Sequence, residues 1–230
     1  MRETTVQATP SHECPTIGPK TWMECKNLTL VRVSIAMIRL RFLILLALAA
    51  SNATAVEPPL SDDFSDPNLK VRRASRGVWV MEGGIAKVTQ DDELYKKFKN
   101  HGPIIFYDID HKDAVIEFSY KAENAKSVVF TVNGADGHVF RTVTSATGTG
   151  FRAFPPSDDH KSIALHQLKQ PLAQGEWTHM KIELKGPKAT VTLGDNEPIT
   201  VEHPSLDRAK VNTSIGFSFG TLSVKEFSIQ

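Results

Sequence analysis

The chain has 230 residues, of which 40% are hydrophobic, and its 27 Lys and Arg against 26 Asp and Glu give a formal net charge of +1. Residues 1–55 hold six of the basic and three of the acidic side chains, so the remainder is slightly acidic, with 21 against 23. A nucleic-acid-binding module shows a basic stripe, and neither the charge balance nor the spacing of Lys and Arg supplies one. We therefore expect no nucleic-acid partner.

The first predicted element is an export signal at residues 37–55. A short basic start, Met37–Arg41, precedes the apolar run Phe42–Ala50, and Ala53–Ala55 has the small-x-small form of a signal-peptidase site. The run is too short to span a bilayer, because a transmembrane helix needs about 20 apolar residues. We expect cleavage after residue 55, a mature chain without an integral membrane anchor, and a secreted or periplasmic protein.

Residues 1–36 place a polar stretch ahead of this otherwise complete signal. They are either a wrongly assigned start, with translation beginning at Met37, or an extended leader. Both cysteines, Cys14 and Cys25, lie in this stretch, so we expect neither a disulfide nor a cysteine nucleophile in the mature domain. Residues 56–60 predict an extended linker, and residues 61–230 are long enough for one domain with a single core.

Short β-type runs follow one another through this domain. Ile116, Phe118 and Tyr120 alternate with polar residues, as in a half-buried strand. The run Val128–Val132 alternates in the same way, and the glycine-rich segment Asn133–Gly137 predicts a turn that closes a β-hairpin.

The later runs have the same character. Thr178, Met180, Ile182 and Leu184 are predicted to point inward. In the last run the inward set shifts between residues 224 and 227, which predicts either a β-bulge or a strand buried on both faces. No convincing amphipathic helix is found. Many short strands separated by Gly, Pro, Asn and Asp predict an all-β fold, a two-sheet antiparallel jelly-roll sandwich.

A series of motifs in this order resembles a known family. The motifs are Asp62-Asp63-Phe64, Trp79-x-x-x-Gly83-Gly84, Gly175-Glu-Trp-Thr-His179 and the hairpin Gly186-x-x-x-x-Val191. The domain is similar to the 3-keto-disaccharide hydrolase domain family, within the concanavalin A-like lectin and glucanase sandwiches. The resemblance implies a concanavalin A-like sandwich, export from a bacterial cell and hydrolysis of oxidised disaccharides. It supplies no compact catalytic signature, so no catalytic residue is transferred.

Carboxylates and histidines are the side chains of this domain that could act as catalytic acids and bases. Glucanases of this fold place carboxylates on one strand as Glu-x-Asp-x-x-Glu, and this pattern occurs nowhere in the chain. Hydrolysis would still need an acid and a base beside a groove. Asp110, His111 and His138 are the candidates for these roles.

Four residues are candidates for ligand binding. Asn133 and Arg141, with His138, offer an amide, a guanidinium and an imidazole around one hairpin, which suits sugar hydroxyls or a carboxylate. Arg152 lies on a loop that could form a wall of a cleft. Trp177 is either a platform on which a sugar ring stacks or a half-buried anchor at a strand start.

Two turns concentrate oxygen ligands, Asp108–Asp113 and Asp158–His160. Calcium takes six to eight oxygen ligands, but Asp-rich turns more often serve only as turns. We therefore assign no metal site and no cofactor, with calcium as the alternative.

Three functions remain open at this stage. The first is an exported domain that binds or hydrolyses a saccharide or glycoconjugate. The second is a non-catalytic glycan-binding module, and the third is an envelope module whose sheet contacts another protein. A groove with convergent polar groups would favour the first two, and a flat apolar patch would favour the third.

Overall fold

The computed structural model describes residues 57–156 and 161–230. The predicted signal, the stretch before it and the acidic turn at residues 158–160 lie outside these ranges. The described residues form fifteen strands in two antiparallel sheets, so the prediction of an all-β, two-sheet jelly-roll sandwich is confirmed. Within this described part, no helix is long and apolar enough to cross a membrane.

The larger sheet has eight strands, and β1 and β4 both pair with β15. Its strands, from one edge to the other, are β13 (Ile199–Glu202), β12 (Lys188–Leu193), β11 (Trp177–Lys185), β6 (Ala114–Glu123), β15 (Thr221–Ile229), β4 (Ile85–Thr89) and β3 (Val80–Glu82), with β1 (Leu60–Asp62) beside the end of β15.

The smaller sheet has seven strands and contains the predicted hairpin. Its strands are, in spatial order, β10 (Ile163–Leu168), β9 (Gly148–Ala153), β8 (Gly137–Ser145), β7 (Ser127–Gly134), β14 (Asn212–Ser218), β5 (Ile104–Tyr107) and β2 (Arg72–Ser75). A short helix, α1 (Asp92–Lys97), and a 3-10 turn at Pro204–Leu206 lie outside the sheets.

The core lies between the two sheets and is built from alternate strand residues. Ile116, Phe118 and Tyr120 of β6 are at most 1% exposed, as predicted. The ring of Phe118 lies 5.6 Å from the ring of Phe130, which projects from β7 of the other sheet. Period-2 alternation therefore gives each sheet one apolar face, and burial of these faces holds the sandwich together.

The predicted bulge in the last strand is also confirmed. The register of β15 against β6 shifts between Lys225 and Ser228, and Glu226 adopts a φ of 57°. The extra residue lets Leu222 and Val224 before the bulge, and Phe227 after it, all face the core.

The helix α1 corrects the expectation that the domain contains no helix. Asp91 caps it, because its side chain accepts a hydrogen bond of 2.8 Å from the backbone N–H of Leu94. None of its six residues is buried. A helix with no apolar face leaves no 3.6-residue hydrophobic period, so the periodicity could not reveal it.

Candidate functional site

A chain of hydrogen bonds links polar side chains on the outer face of the seven-stranded sheet. Arg141 donates from Nη2 to Nε2 of His138 at 2.6 Å, and Nδ1 of His138 lies 2.6 Å from Oδ1 of Asn133. Asn133 donates from Nδ2 to Oδ1 of Asn212 at 2.7 Å, and Arg141 also donates from Nε to Thr131 at 3.1 Å. We call these five residues the Asn-His-Arg network.

The chemistry of arginine fixes the direction of every bond in the network. A guanidinium has only donors, so Nε2 of His138 must be the acceptor and the ring is neutral with its proton on Nδ1. That proton is donated to Asn133, whose amide in turn donates to Asn212. Within the part of the chain that the structure describes, the N–H groups of the Asn212 amide have no acceptor. The network is therefore a preorganised set of groups.

A bulge in the hairpin brings His138 to this face. His138 and Arg141 are three residues apart, and in a regular strand such residues point to opposite faces. The register of β7 against β8 shifts between Val132 and Asn133, and both Val139 and Phe140 are fully buried. The extra inward residue turns His138 outward.

Phe154 and Arg208 frame one end of the network. The Phe154 ring lies 5.2 Å from the His138 ring and 5.1 Å from the guanidinium carbon of Arg141. Arg208 donates to the backbone carbonyls of His138 and Phe154 and forms an ion pair of 2.7 Å with Asp136. Arg208 thus holds the hairpin turn against the chain that carries Phe154. Its role was missed because 54 residues separate it from Phe154.

Arg152 lies beside the network, within β9 and not on a loop as predicted, because it alternates with the buried Phe151 and Ala153 as a strand residue does. It is the direct cross-strand partner of Arg141 in the pairing of β8 with β9, and its Nε donates to Ser162 at 2.7 Å. Burial, and then the facing charge of Arg152, hold the pKa of Arg141 below its ordinary value. Three of the four predicted ligand-binding residues, Asn133, Arg141 and Arg152, therefore lie together.

The fourth, Trp177, lies on the other sheet. It projects from β11 on the outer face of the eight-stranded sheet and is 38% exposed. The ammonium groups of Lys121 and Lys225 lie 5.8 and 5.0 Å from its ring. Trp177 and Arg141 therefore cannot contact the same small ligand, because the thickness of the sandwich separates them.

Two of the three catalytic candidates, Asp110 and His111, line a separate cavity of about 430 Å³, together with Lys210. His111 pairs with Lys210 across an isolated β-bridge, and its Nδ1 donates to the carbonyl of Ile109 at 3.0 Å. Burial lowers the pKa of His111 and of Lys210. His138, in the network, is absent from the cavity lining, so the three candidates do not form one constellation. Their catalytic roles stay predictions.

Two of the three carboxylates of the first Asp-rich turn have protein partners. Asp108 pairs with Arg73 at 3.0 Å, and Asp113 accepts a hydrogen bond from the backbone N–H of Gly186. Among the described residues, no group of three His, Cys, Asp or Glu side chains is placed to hold a metal ion. The second turn lies outside the described residues.

Comparisons with known proteins identify the fold. No family model and no curated protein matches the chain. Carbohydrate-binding module CBM66 from Bacillus subtilis superposes with a TM-score of 0.53 and 13% identity, over 71% of this chain and 97% of that one. A sialidase superposes with a TM-score of 0.56 and 11% identity, over 76% of this chain but only 19% of the sialidase. The comparisons do not confirm the 3-keto-disaccharide hydrolase family. What they and the strand order show is the fold, a two-sheet antiparallel jelly-roll sandwich.

Proposed function

We propose that this domain binds a saccharide through the outer face of the seven-stranded sheet, without cleaving it. The Asn-His-Arg network is the observation on which the proposal rests. Sugar hydroxyls are both donors and acceptors, and they are recognised by planar amide and guanidinium groups held in fixed positions. The network supplies such groups, and the Phe154 ring beside them offers an apolar surface for the C–H face of a sugar.

The opposite face is less suited to a ligand, because its charged groups satisfy one another. Two ammonium groups, those of Lys121 and Lys225, lie over the Trp177 ring. Ion pairs on this face join Lys87 with Glu123, Lys181 with Glu183, and Lys188 with Glu202, and Nε2 of His179 lies 3.5 Å from the carboxylate of Glu117.

The likeness to CBM66 supports the proposal only through the fold, since identity of 13% does not transfer a ligand. The leader predicted at residues 37–55 would place the domain in the periplasm or outside the cell, and we include this location in the proposal. Hydrolysis, which the family resemblance implies, is the second candidate. The described network contains no carboxylate to act as acid or base, so binding is the better supported activity.

The test is calorimetric titration of the full-length protein against a panel of oligosaccharides. Arg141→Ala removes the donors to His138 and Thr131, so we expect the Kd to rise at least tenfold for any ligand that wild type binds. Trp177→Ala is the matched control on the other sheet and should leave the Kd unchanged. Thermal unfolding of both variants establishes that they are folded.

The outcomes separate the site from the function. Binding that depends on Trp177 but not on Arg141 would keep the function and move the site to the eight-stranded sheet. No binding to any saccharide would contradict the proposed function. Mass spectrometry of disaccharides and their 3-keto derivatives after incubation checks the alternative, because new monosaccharide masses would establish hydrolysis.

A further inference from the structure

The two arginines beside the network carry like charges directly opposite each other. Arg141 of β8 and Arg152 of β9 are cross-strand partners, and both face outward. Like charges in this position destabilise a sheet. Burial, and then the charge of Arg152, lower the pKa of Arg141, which is the direction that this repulsion predicts.

Three of the other four described arginines have carboxylate partners, and the fourth, Arg76, lies over the ring of Phe98. In residues 57–156 and 161–230, neither Arg141 nor Arg152 forms an ion pair with a carboxylate. The half-buried Arg141 and the exposed Arg152 therefore form a local excess of positive charge that no carboxylate of the described residues neutralises. The arginines with partners are Arg72 with Asp62, Arg73 with Asp108, and Arg208 with Asp136.

The unused donors of the pair point to an anion. Arg141 uses Nε and Nη2 within the network, so its Nη1 has no partner among the described residues. Arg152 uses Nε for Ser162, and both of its Nη groups are likewise without a described partner. Two guanidinium groups on neighbouring strands can hold a planar or tetrahedral oxyanion through several charge-assisted hydrogen bonds.

We propose that Arg141 and Arg152 bind the anionic group of an acidic saccharide, either a uronate carboxylate or a sulfate ester. The inference rests on the proposed function, since it names the class of ligand for the same site. The neutral groups of the network then contact the hydroxyls of the same sugar, and the arginine pair selects for charge.

The experiment compares ligands that differ only in charge. The full-length protein is titrated with glucuronate and galacturonate oligosaccharides and with their methyl esters, and with sulfated galactose oligosaccharides and their desulfated forms. We expect each bound acid to have a Kd about tenfold to a hundredfold below that of its neutral partner, since hydrogen bonds to charged groups are the stronger ones. The difference should shrink as salt is raised. Binding of the uronate oligosaccharides would identify the anionic group as a carboxylate, and binding of the sulfated oligosaccharides would identify it as a sulfate ester.

Variants assign the effect to the arginine pair. Arg152→Gln should weaken binding of the acidic ligand about tenfold and weaken binding of the neutral form less, so that the ratio of the two Kd values falls. Arg73→Gln is the matched control. It removes a positive charge from the same face, but Asp108 already neutralises this charge. Equal affinity for acidic and neutral forms would overturn this inference and leave the proposed function standing. Binding of no saccharide would overturn both.

The repulsion between Arg141 and Arg152 gives a second test, which measures the stability of the free protein and needs no ligand. Because Arg152→Gln removes the repulsion, the thermal midpoint of the free protein should stay the same or rise. A clear fall of the midpoint would show that Arg152 is retained for stability, and would overturn the inference.

Discussion

Asp62 joins the two sheets through a buried ion pair. Its carboxylate accepts hydrogen bonds of 2.7 and 2.6 Å from Nη1 of Arg72 and one of 2.9 Å from the hydroxyl of Tyr107. The side chains of Asp62 and Arg72 are 3% and 1% exposed. Since Asp62 lies in the eight-stranded sheet and its partners lie in the seven-stranded sheet, the pair fixes how the sheets meet. This contact gives the Asp-Asp-Phe motif a structural role.

Replacing Asp62 should therefore destabilise the domain strongly. Asp62→Ala leaves the Arg72 guanidinium buried without a counter-charge, and losing one partner of a buried pair costs about 3–5 kcal/mol of unfolding free energy. Asp63→Ala is the control, because this neighbouring carboxylate is exposed and bonds only within its own turn. Urea unfolding monitored by circular dichroism measures both. Equal losses for the two variants would contradict the role given to Asp62.

At the scale of elements, the sequence predicts what depends on local alternation. The inward residues of β6 and β11 and the bulge of β15 follow from period-2 patterns that lie within one strand. The hairpin of β7 and β8 follows from its turn residues. The bulge at Val132 and Asn133 was not predicted, because Val139 and Phe140 are both apolar and the register shift shows only in the pairing.

The candidate site was predicted in part, for the same reason. Asn133, His138 and Arg141 belong to one hairpin, so the sequence brings them together. Asn212 pairs with Asn133 across 79 residues, and Arg208 reaches the hairpin from a similar distance along the chain. Contacts of this kind depend on strand order, which no local pattern encodes. Trp177 was a separate candidate, and its residue type does not tell which sheet its strand joins.

The helix α1 offers an element-scale prediction. Asp91→Ala removes its N-cap, so we expect a loss of about 1 kcal/mol in the stability of the helix. Because α1 buries no side chain, the loss should be local and should show as faster amide hydrogen exchange at Leu94 and Phe98. Asp91→Asn, which retains a capping oxygen, is the matched control. Unchanged exchange in Asp91→Ala would mean that neighbouring contacts, not the cap, hold the helix.

At the scale of the whole molecule, the sandwich presents two outer faces with different chemistry. On the eight-stranded sheet, charges of both signs pair at the surface, and such pairs contribute little to stability. On the seven-stranded sheet, the network and the arginine pair gather donors without a described carboxylate. The core lies between the two faces, so a ligand bound on one face cannot contact side chains on the other.

That shared core makes the stability of the whole molecule sensitive to alkaline pH. Burial raises the pKa of Tyr120 from 10.0 to about 12, although hydrogen bonds with Thr144 and Thr178 oppose the rise. In the unfolded chain this tyrosine loses its proton near pH 10, whereas in the folded protein it keeps the proton to about pH 12. The unfolded state is therefore favoured as the pH rises between these values. Burial raises the pKa of Tyr107 as well, which acts in the same direction.

Tyr120→Phe tests this account. Above pH 10 the wild-type free energy of unfolding should fall by about 1.4 kcal/mol per pH unit through Tyr120 alone, and the variant lacks this contribution. Urea titrations at each pH should therefore show that the unfolding free energy of wild type, relative to that of Tyr120→Phe, falls as the pH rises from 9 to 11. Phe118→Leu, which changes the same core strand without a titrating group, should keep a constant difference from wild type. Parallel curves for wild type and Tyr120→Phe would show that the buried hydroxyl does not set the alkaline limit of the fold.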